Sequence, residues 1–250
     1  MSREDISNFI LVTGASRGIG RGAAISLAAL GFDLVLWARS GEDLEQTAAE
    51  CVRYGRRVIS ASVDVSSCES VTLEGGRSIA DLGTLRGLVL NAGIGIWNRL
   101  EDATTAEWRQ MVSTNLDGAF YTLKLTVPLL TRHPNAQIVA IASDSANYAY
   151  PGRVGYCASK WGMRGLVEAV RREVRPKGVR VTQIMPSRVD TYFRGKKPGN
   201  RPDSLSTSEV GQLVATVFEL PTRVEVREMP VSAITASYGP FEECSAAIAQ

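Results

Sequence analysis

Short apolar runs alternate along the chain with longer stretches in which polar and apolar residues mix at helical spacing. Phe9-Ile10-Leu11-Val12 is the first run; Asp33 to Ser40 holds the second and Arg57 to Val65 the third. Later runs lie at Leu88 to Gly93, Ala136 to Ser143, Gly178 to Pro186 and within Val224 to Val231. A run that is mostly apolar, rather than apolar at every second position, is the pattern of a parallel strand covered on both faces. Between the runs, cap residues mark helices. One helix reaches Leu30 and stops against Gly31, which suits a C-terminal cap. Another opens at Ser40-Gly41-Glu42-Asp43 and reaches Gly55. A third ends near Gly83, and its Gly75-Gly76 pair predicts a kink or break because glycine disfavours helix. Thr104-Thr105-Ala106-Glu107 is a capping box that starts a long helix through His133, bent at Pro128. Ser206-Thr207-Ser208-Glu209 is a second box, starting a helix to Leu220. Strand and helix in this alternation predict an α/β fold with a parallel sheet.

The first strand leads straight into Thr13-Gly14-Ala15-Ser16-Arg17-Gly18-Ile19-Gly20 and then into a helix. Strand, glycine turn and helix in this order form a cradle for a pyrophosphate. Gly14 allows the tight turn, and Gly18 and Gly20 let the backbone approach phosphates at a helix N-terminus. Further on, Tyr156 and Lys160 are four positions apart and so share one helix face. A free phenol, with a pKa of roughly 10, is a poor acid or base at neutral pH. The Lys160 ammonium is expected to favour the phenolate and lower the Tyr156 pKa, fitting it to exchange a proton with a carbonyl or alcohol oxygen.

Composition narrows the class. The 250 residues are 44% hydrophobic and 22% charged, with a formal net charge of +2. That is an ordinary globular balance, and it gives no reason to expect nucleic acid as partner. The N-terminus carries Arg3, Glu4 and Asp5 without a long apolar core, and no apolar run approaches the roughly 18 residues of a membrane span, so neither a signal peptide nor a membrane is expected. Cys51, Cys68, Cys157 and Cys244 are scattered, and read as reduced thiols of a cytoplasmic protein rather than a metal site. His133, the sole histidine, stands beside Pro134 at an expected helix end and reads as a surface or packing residue. No second domain or linker is visible, so residues 1–250 read as one domain.

The stretch from Thr13 to Gly20, followed at this separation by Tyr156-Cys157-Ala158-Ser159-Lys160 in a chain of this length, resembles the short-chain dehydrogenase/reductase family. The resemblance runs from about Phe9 to Val231. It implies a single Rossmann-type, doubly wound parallel sheet of about seven strands with helices on both faces. It also implies a catalytic set of Asn115, Ser143, Tyr156 and Lys160. Ser143, thirteen residues before Tyr156, would orient a substrate carbonyl, and Asn115, in an Asn-x-x-Gly context, would hold a relay water in a locally kinked helix. Cofactor contacts would come from Gly14, Ser16, Arg17, Gly18, Ile19 and Gly20 of the turn, and from Asp64 and Val65 at the adenine. Asn91, Ala92 and Gly93 would pass under the ribose. Pro186, Val189 and Thr191 would meet the nicotinamide, and Tyr156 and Lys160 its ribose. Ser187 stands where the family usually has glycine, which asks for a backbone that a Cβ allows.

The second strand ends Ala38-Arg39-Ser40, where an NAD enzyme would want an acidic residue. A guanidinium suits a 2′-phosphate, and Arg17 could close on it from the other side. The expected cofactor is therefore NADP(H), and the expected reaction is NADPH-dependent reduction of a ketone or aldehyde. An NAD-preferring alcohol dehydrogenase or an epimerase on the same residues, and a non-catalytic dinucleotide sensor, stand as alternatives. The expected partners are a small carbonyl or alcohol substrate and copies of the chain itself, as homodimer or homotetramer. Residues 192–205, rich in Lys, Pro and Gly, fall where the family has a mobile substrate lid; the segment is short, so a pocket that is open or completed by few residues is expected. Trp97 would wall the substrate side, and Asn147, Tyr148 and Tyr150 lie in the loop before the Tyr156 helix. Cys157 reads as a small buried filler. Arg171, Arg172 and Arg175 read as a solvated basic face, with an acidic carrier protein the sharper alternative.

Overall fold

The computed structural model describes residues 8–236; the expectation of no regular element from Tyr238 to Gln250 falls outside them. Seven strands form one parallel sheet in the order β3-β2-β1-β4-β5-β6-β7. They are β1 (Phe9–Thr13), β2 (Asp33–Ala38), β3 (Val58–Ser62), β4 (Gly87–Leu90), β5 (Gln137–Ile141), β6 (Arg180–Pro186) and β7 (Glu228–Val231). The pairing is parallel throughout, from Ile10 beside Leu34 and Gly87 to Gln183 beside Glu228. Chain order reverses between β1 and β4, which opens a crevice at the carboxyl ends of those strands.

Side chains alternate across the sheet and feed two cores. Ile10, Val12, Leu34 and Leu36 pack under α1 (Gly18–Ala29), α2 (Gly41–Val52) and the last helix. Leu11, Val35, Leu88 and Ile138 pack on the other face. The near-continuous apolar runs follow from that double covering. The last helix (Thr207–Glu219) lies so close to α1 that a Cβ on Gly22 would sit 2.3 Å from the Thr207 carbonyl oxygen.

Two helices on the Leu11 face contain wide turns. In α3, α-helical Cys68–Ser70 and Gly76–Ile79 flank a π-helical turn, Val71–Gly75. The irregularity expected at Gly75-Gly76 takes the form of this π turn, which ends at Gly75; the helix does not break, and both glycines keep helical dihedrals. Gly75 is there to make room, since a Cβ on it would lie 2.8 Å from the buried Trp37 ring. In α4, Thr105–Val112 and Gly118–Leu130 flank a second π turn, Ser113–Asp117, and the helix stops three residues before His133. His133 is buried; its Nδ1 accepts the Asn135 amide (3.0 Å), and burial and the Arg86 charge push its pKa down to about 4. Both expected capping boxes form, at Thr104 and Ser206. α5 (Val154–Val174) carries Tyr156 and Lys160, and α6 is the Thr207–Glu219 helix. The basic residues at the end of α5 are ion-paired rather than merely solvated: Arg171 and Arg172 with Glu168, Arg175 with Glu225.

Candidate active site

The crevice is a cleft of about 1020 Å³ whose walls include Gly14, Arg39, Asp64, Asn91, Ser143, Tyr156, Lys160 and Thr191. Its floor is fixed by hydrogen bonds between two side chains and the backbone around them. Asn91 Nδ2 donates to the carbonyls of Thr13 (3.0 Å) and Gly14 (3.1 Å), while the amides of Asn91 and Ala92 donate to Thr13 Oγ1. Gly14 takes a φ of +65° and touches Asn91 and Ala92 so closely that a Cβ would sit 2.9 Å from Ala92 Cα. Gly18, at φ +60°, opens to the cleft. Gly20 does something other than expected. It is buried behind the turn, where a Cβ would sit 2.2 Å from the Gly14 carbonyl oxygen. It lets the helix close on the turn and is not among the residues that wall the cleft.

Asp64 and Val65 lie just beyond β3, with Asp64 Oδ1 holding the Ser66 amide and hydroxyl. Arg39 is exposed at the end of β2, and Arg17 lies 5.6 Å from the Tyr192 ring centroid. The carboxylate on this rim is Asp43, which accepts the Ser40 hydroxyl at 3.2 Å. At the far end, an isolated bridge pairs Val189 with Leu205 through the Arg188 carbonyl and the Asp190 amide. Val189's own amide and carbonyl therefore turn the other way, toward the cleft. Ser187 keeps an ordinary negative φ, since Arg194 is the one non-glycine residue above zero among those described. The Ser187 amide donates to Val231 O (2.9 Å) and its hydroxyl is buried without a partner among the described residues.

The four expected catalytic residues come from two helices and the β5 exit: Ser143, Tyr156 and Lys160 line the cleft, and Asn115 lies buried behind it. Asn115 sits in the π turn of α4, buried, and its amide is fully used: Oδ1 accepts the Ile94 amide (2.8 Å), Nδ2 donates to Ile94 O (2.9 Å) and Ser159 Oγ (3.0 Å). A Cβ on Gly93 would lie 3.2 Å from Asn115 Oδ1 and 3.6 Å from Lys160 Nζ, so glycine is what lets these groups crowd together. Lys160 Nζ donates to Ile141 O at 3.1 Å, and burial lowers its pKa to about 8.

Tyr156 departs from expectation. Its pKa is pushed up to about 12, first by burial, with the Asp144 charge adding to it and Ser143 and Arg153 opposing. Lys160 Nζ, 5.9 Å from the phenol ring centroid, does not offset this. The short segment after β6 is one of the elements that complete the pocket: its Phe193 meets the Tyr156 ring edge-on, centroids 5.8 Å apart. Ser143 Oγ donates to Asp144 Oδ1 (2.5 Å) and accepts the Ser145 amide (3.1 Å). Tyr150 OH donates to the second Asp144 oxygen (3.1 Å). Tyr150 lines the cleft, as expected of its loop; Asn147 instead donates to Met185 Sδ, and Tyr148 is exposed outside. Sequence reasoning missed Arg153, Phe193 and Arg194. Trp97 walls the cleft between two of them, with the Arg153 guanidinium 4.0 Å and that of Arg194 3.6 Å from its ring centroid.

Among the described residues, no helix is long and apolar enough to cross a membrane. The short chain dehydrogenase family profile matches residues 8–201. The chain is 31% identical over 232 residues to a sepiapterin reductase from Chlorobaculum tepidum, covering 90% of this chain and 95% of that protein. It superposes on an alcohol dehydrogenase from the archaeon Thermococcus sibiricus, solved with 5-hydroxy-NADP, with a TM-score of 0.88 at 33% identity over 93% of this chain and 99% of the other. A metagenomic short-chain oxidoreductase solved with NADP gives 0.78 at 28% identity, over 91% and 97%. The chain belongs to the short-chain dehydrogenase family of oxidoreductases, which use nicotinamide dinucleotides.

Proposed function

We propose that the protein reduces a ketone or aldehyde to an alcohol at the expense of NADPH, with Tyr156 as the general acid. The observation that carries this reading is the convergence of Ser143, Tyr156 and Lys160 on one cleft whose far rim ends in Arg39. The cleft suits a dinucleotide. Gly14 and Gly18 present bare backbone, and Val189 turns its amide and carbonyl inward. When bound there, the reduced nicotinamide supplies the hydride.

The chain's own groups then handle orientation and the proton. A phenol that keeps its proton up to about 12 is protonated throughout the neutral range, as an acid donor must be. Its hydroxyl would give that proton to the carbonyl oxygen as negative charge develops there. The Ser143 hydroxyl would rotate from Asp144 to the same oxygen and stabilise the charge, and Lys160 would hold the ribose and resupply the proton. Asn115 would act through the wide turn of α4, because its side-chain amide is spent on Ile94 and Ser159. Arg39 and Arg17 would take the 2′-phosphate; both relatives solved with an NADP-type cofactor favour this choice. Asp43 on the same rim is the one feature that favours NAD. A panel of carbonyl compounds with NADPH and NADH distinguishes them: NADPH oxidation should exceed NADH oxidation at least tenfold, and equal rates would reject the NADP assignment.

A further inference from the structure

Beside the proposed proton donor, three aromatic and cationic layers are stacked with a fourth. Arg153 lies 4.4 Å from the Tyr150 ring centroid and 4.0 Å from that of Trp97, and Arg194 lies 3.6 Å from the same indole. An approach that short is possible only over a ring face, and two guanidiniums cannot share one face at that range. The indole is therefore clamped between them: Tyr150, Arg153, Trp97, Arg194. The three elements that build the stack are the β4 exit loop, the start of α5 and the segment after β6.

This stack is electrically unbalanced. Among the described residues neither Arg153 nor Arg194 has a carboxylate partner. The carboxylate alongside, Asp144, spends Oδ1 on Ser143 and Ser145 and Oδ2 on Tyr150. Arg194 is further pressed by like charges, with Arg153 and Arg201 both lowering its pKa after burial does. It is also held at φ +63°, a left-handed backbone that a residue with a side chain rarely takes. A stacked guanidinium uses its faces, and its in-plane N–H donors stay available around the rim of the ring. Close positive charges, a strained residue and unspent donors all find relief in one kind of guest, an anion.

We infer that the substrate of this site is an oxo acid, a carbonyl compound whose carboxylate is held by Arg153 and Arg194 at the edge of Trp97. Arg153 stands three residues before Tyr156 at the start of α5 and both line the cleft, so a carboxylate held there shares the space in front of the phenol with the carbonyl group. A planar carboxylate matches the paired donors of a guanidinium in a way that neutral oxygen does not. This inference rests on the reading of the cleft as a carbonyl-reducing site.

The test pairs each acid with its neutral isostere. 2-Oxobutyrate, acetoacetate and levulinate are offered with NADPH beside their methyl esters, and binding to the NADP-loaded protein is followed by Trp97 fluorescence, with Trp97→Phe to assign the signal. For at least one pair the acid should exceed the ester about ten- to a hundredfold in kcat/KM, carried by KM. That ratio should fall toward one in Arg194→Gln and Arg153→Gln, persist in part in Arg194→Lys, and shrink as salt rises. Esters reduced as well as their acids would overturn the oxo-acid assignment and leave carbonyl reduction standing. Acids that bind in an Arg194-dependent way without any NADPH oxidation would uphold the anion site and overturn the reduction reading beneath it. Neither reduction nor binding of any acid would overturn both.

Discussion

The two ends of the cleft are built by different means. At the dinucleotide end the main chain sets the fit: the Thr13 and Gly14 carbonyls are held by the Asn91 side-chain amide, and Gly20 leaves no room between α1 and the turn. At the substrate end, side chains from three loops meet each other, with Phe193 over Tyr156 and two arginines about Trp97. Backbone cannot step aside, whereas a ring or a guanidinium can. One end should therefore be intolerant of change and common to many relatives, and the other tolerant and particular to this chain.

Substitutions of equal size break the comparison most directly if it is wrong. Gly20→Ala puts a methyl against a carbonyl oxygen that has nowhere to go, and should cost about 3 kcal/mol or more of stability together with most dinucleotide affinity. Denaturant unfolding and NADPH titration read both. Gly95→Ala also makes a contact under 3 Å, 2.6 Å to the Phe193 ring, but that ring can swing away. It should keep its NADPH affinity and fold, and change only the KM for the carbonyl compound, by several-fold.

Lys160 lies between the two ends and adds a pH signature. Its pKa falls from 10.5 in the unfolded chain to about 8 when folded. Between those values the unfolded state holds more protons, so stability rises with pH there. Relative to Lys160→Met, the wild type should gain on the order of 3 kcal/mol from pH 8 to pH 10.5, and the variant should be the more stable of the two at pH 7. Parallel stability curves would mean that the ammonium is not desolvated. A smaller effect belongs to the rim: Arg39→Asp should cut the preference for NADPH over NADH ten- to a hundredfold, measured as a ratio of kcat/KM values. An unchanged ratio would move the 2′-phosphate to Arg17 or away from both.

The same division explains what could be read from the sequence. The strands, both capping boxes and the glycine turn are local signals, and each stands within a few residues of its expected place. The helix through Gly75-Gly76 is irregular where local propensity expects it, but the contact that requires Gly75, the Trp37 ring, comes from a strand 38 residues away and has no local signal. The glycine spacing does not tell that Gly20 packs against the Gly14 carbonyl, a contact made only when the helix folds onto the turn. Tyr156 and Lys160 were placed on one helix face correctly, but the sign of the phenol's shift depends on burial under Phe193, and no spacing rule carries that. Arg153 stands three residues before Tyr156 and gave no motif; it matters only because Trp97 and Arg194 arrive from elsewhere.

Proton donation by Tyr156 to a carbonyl reduced at its carbon is tested most directly by isotope transfer. Protein loaded with NADPH deuterated at the transferable position is mixed with a reducible carbonyl compound, and the alcohol is analysed by mass, with Tyr156→Phe in parallel. The wild type should yield alcohol carrying one deuterium on the former carbonyl carbon, and Tyr156→Phe should form it at least a hundredfold more slowly while binding NADPH as tightly. Undiminished deuterium transfer by the phenylalanine variant would contradict the role given to that phenol.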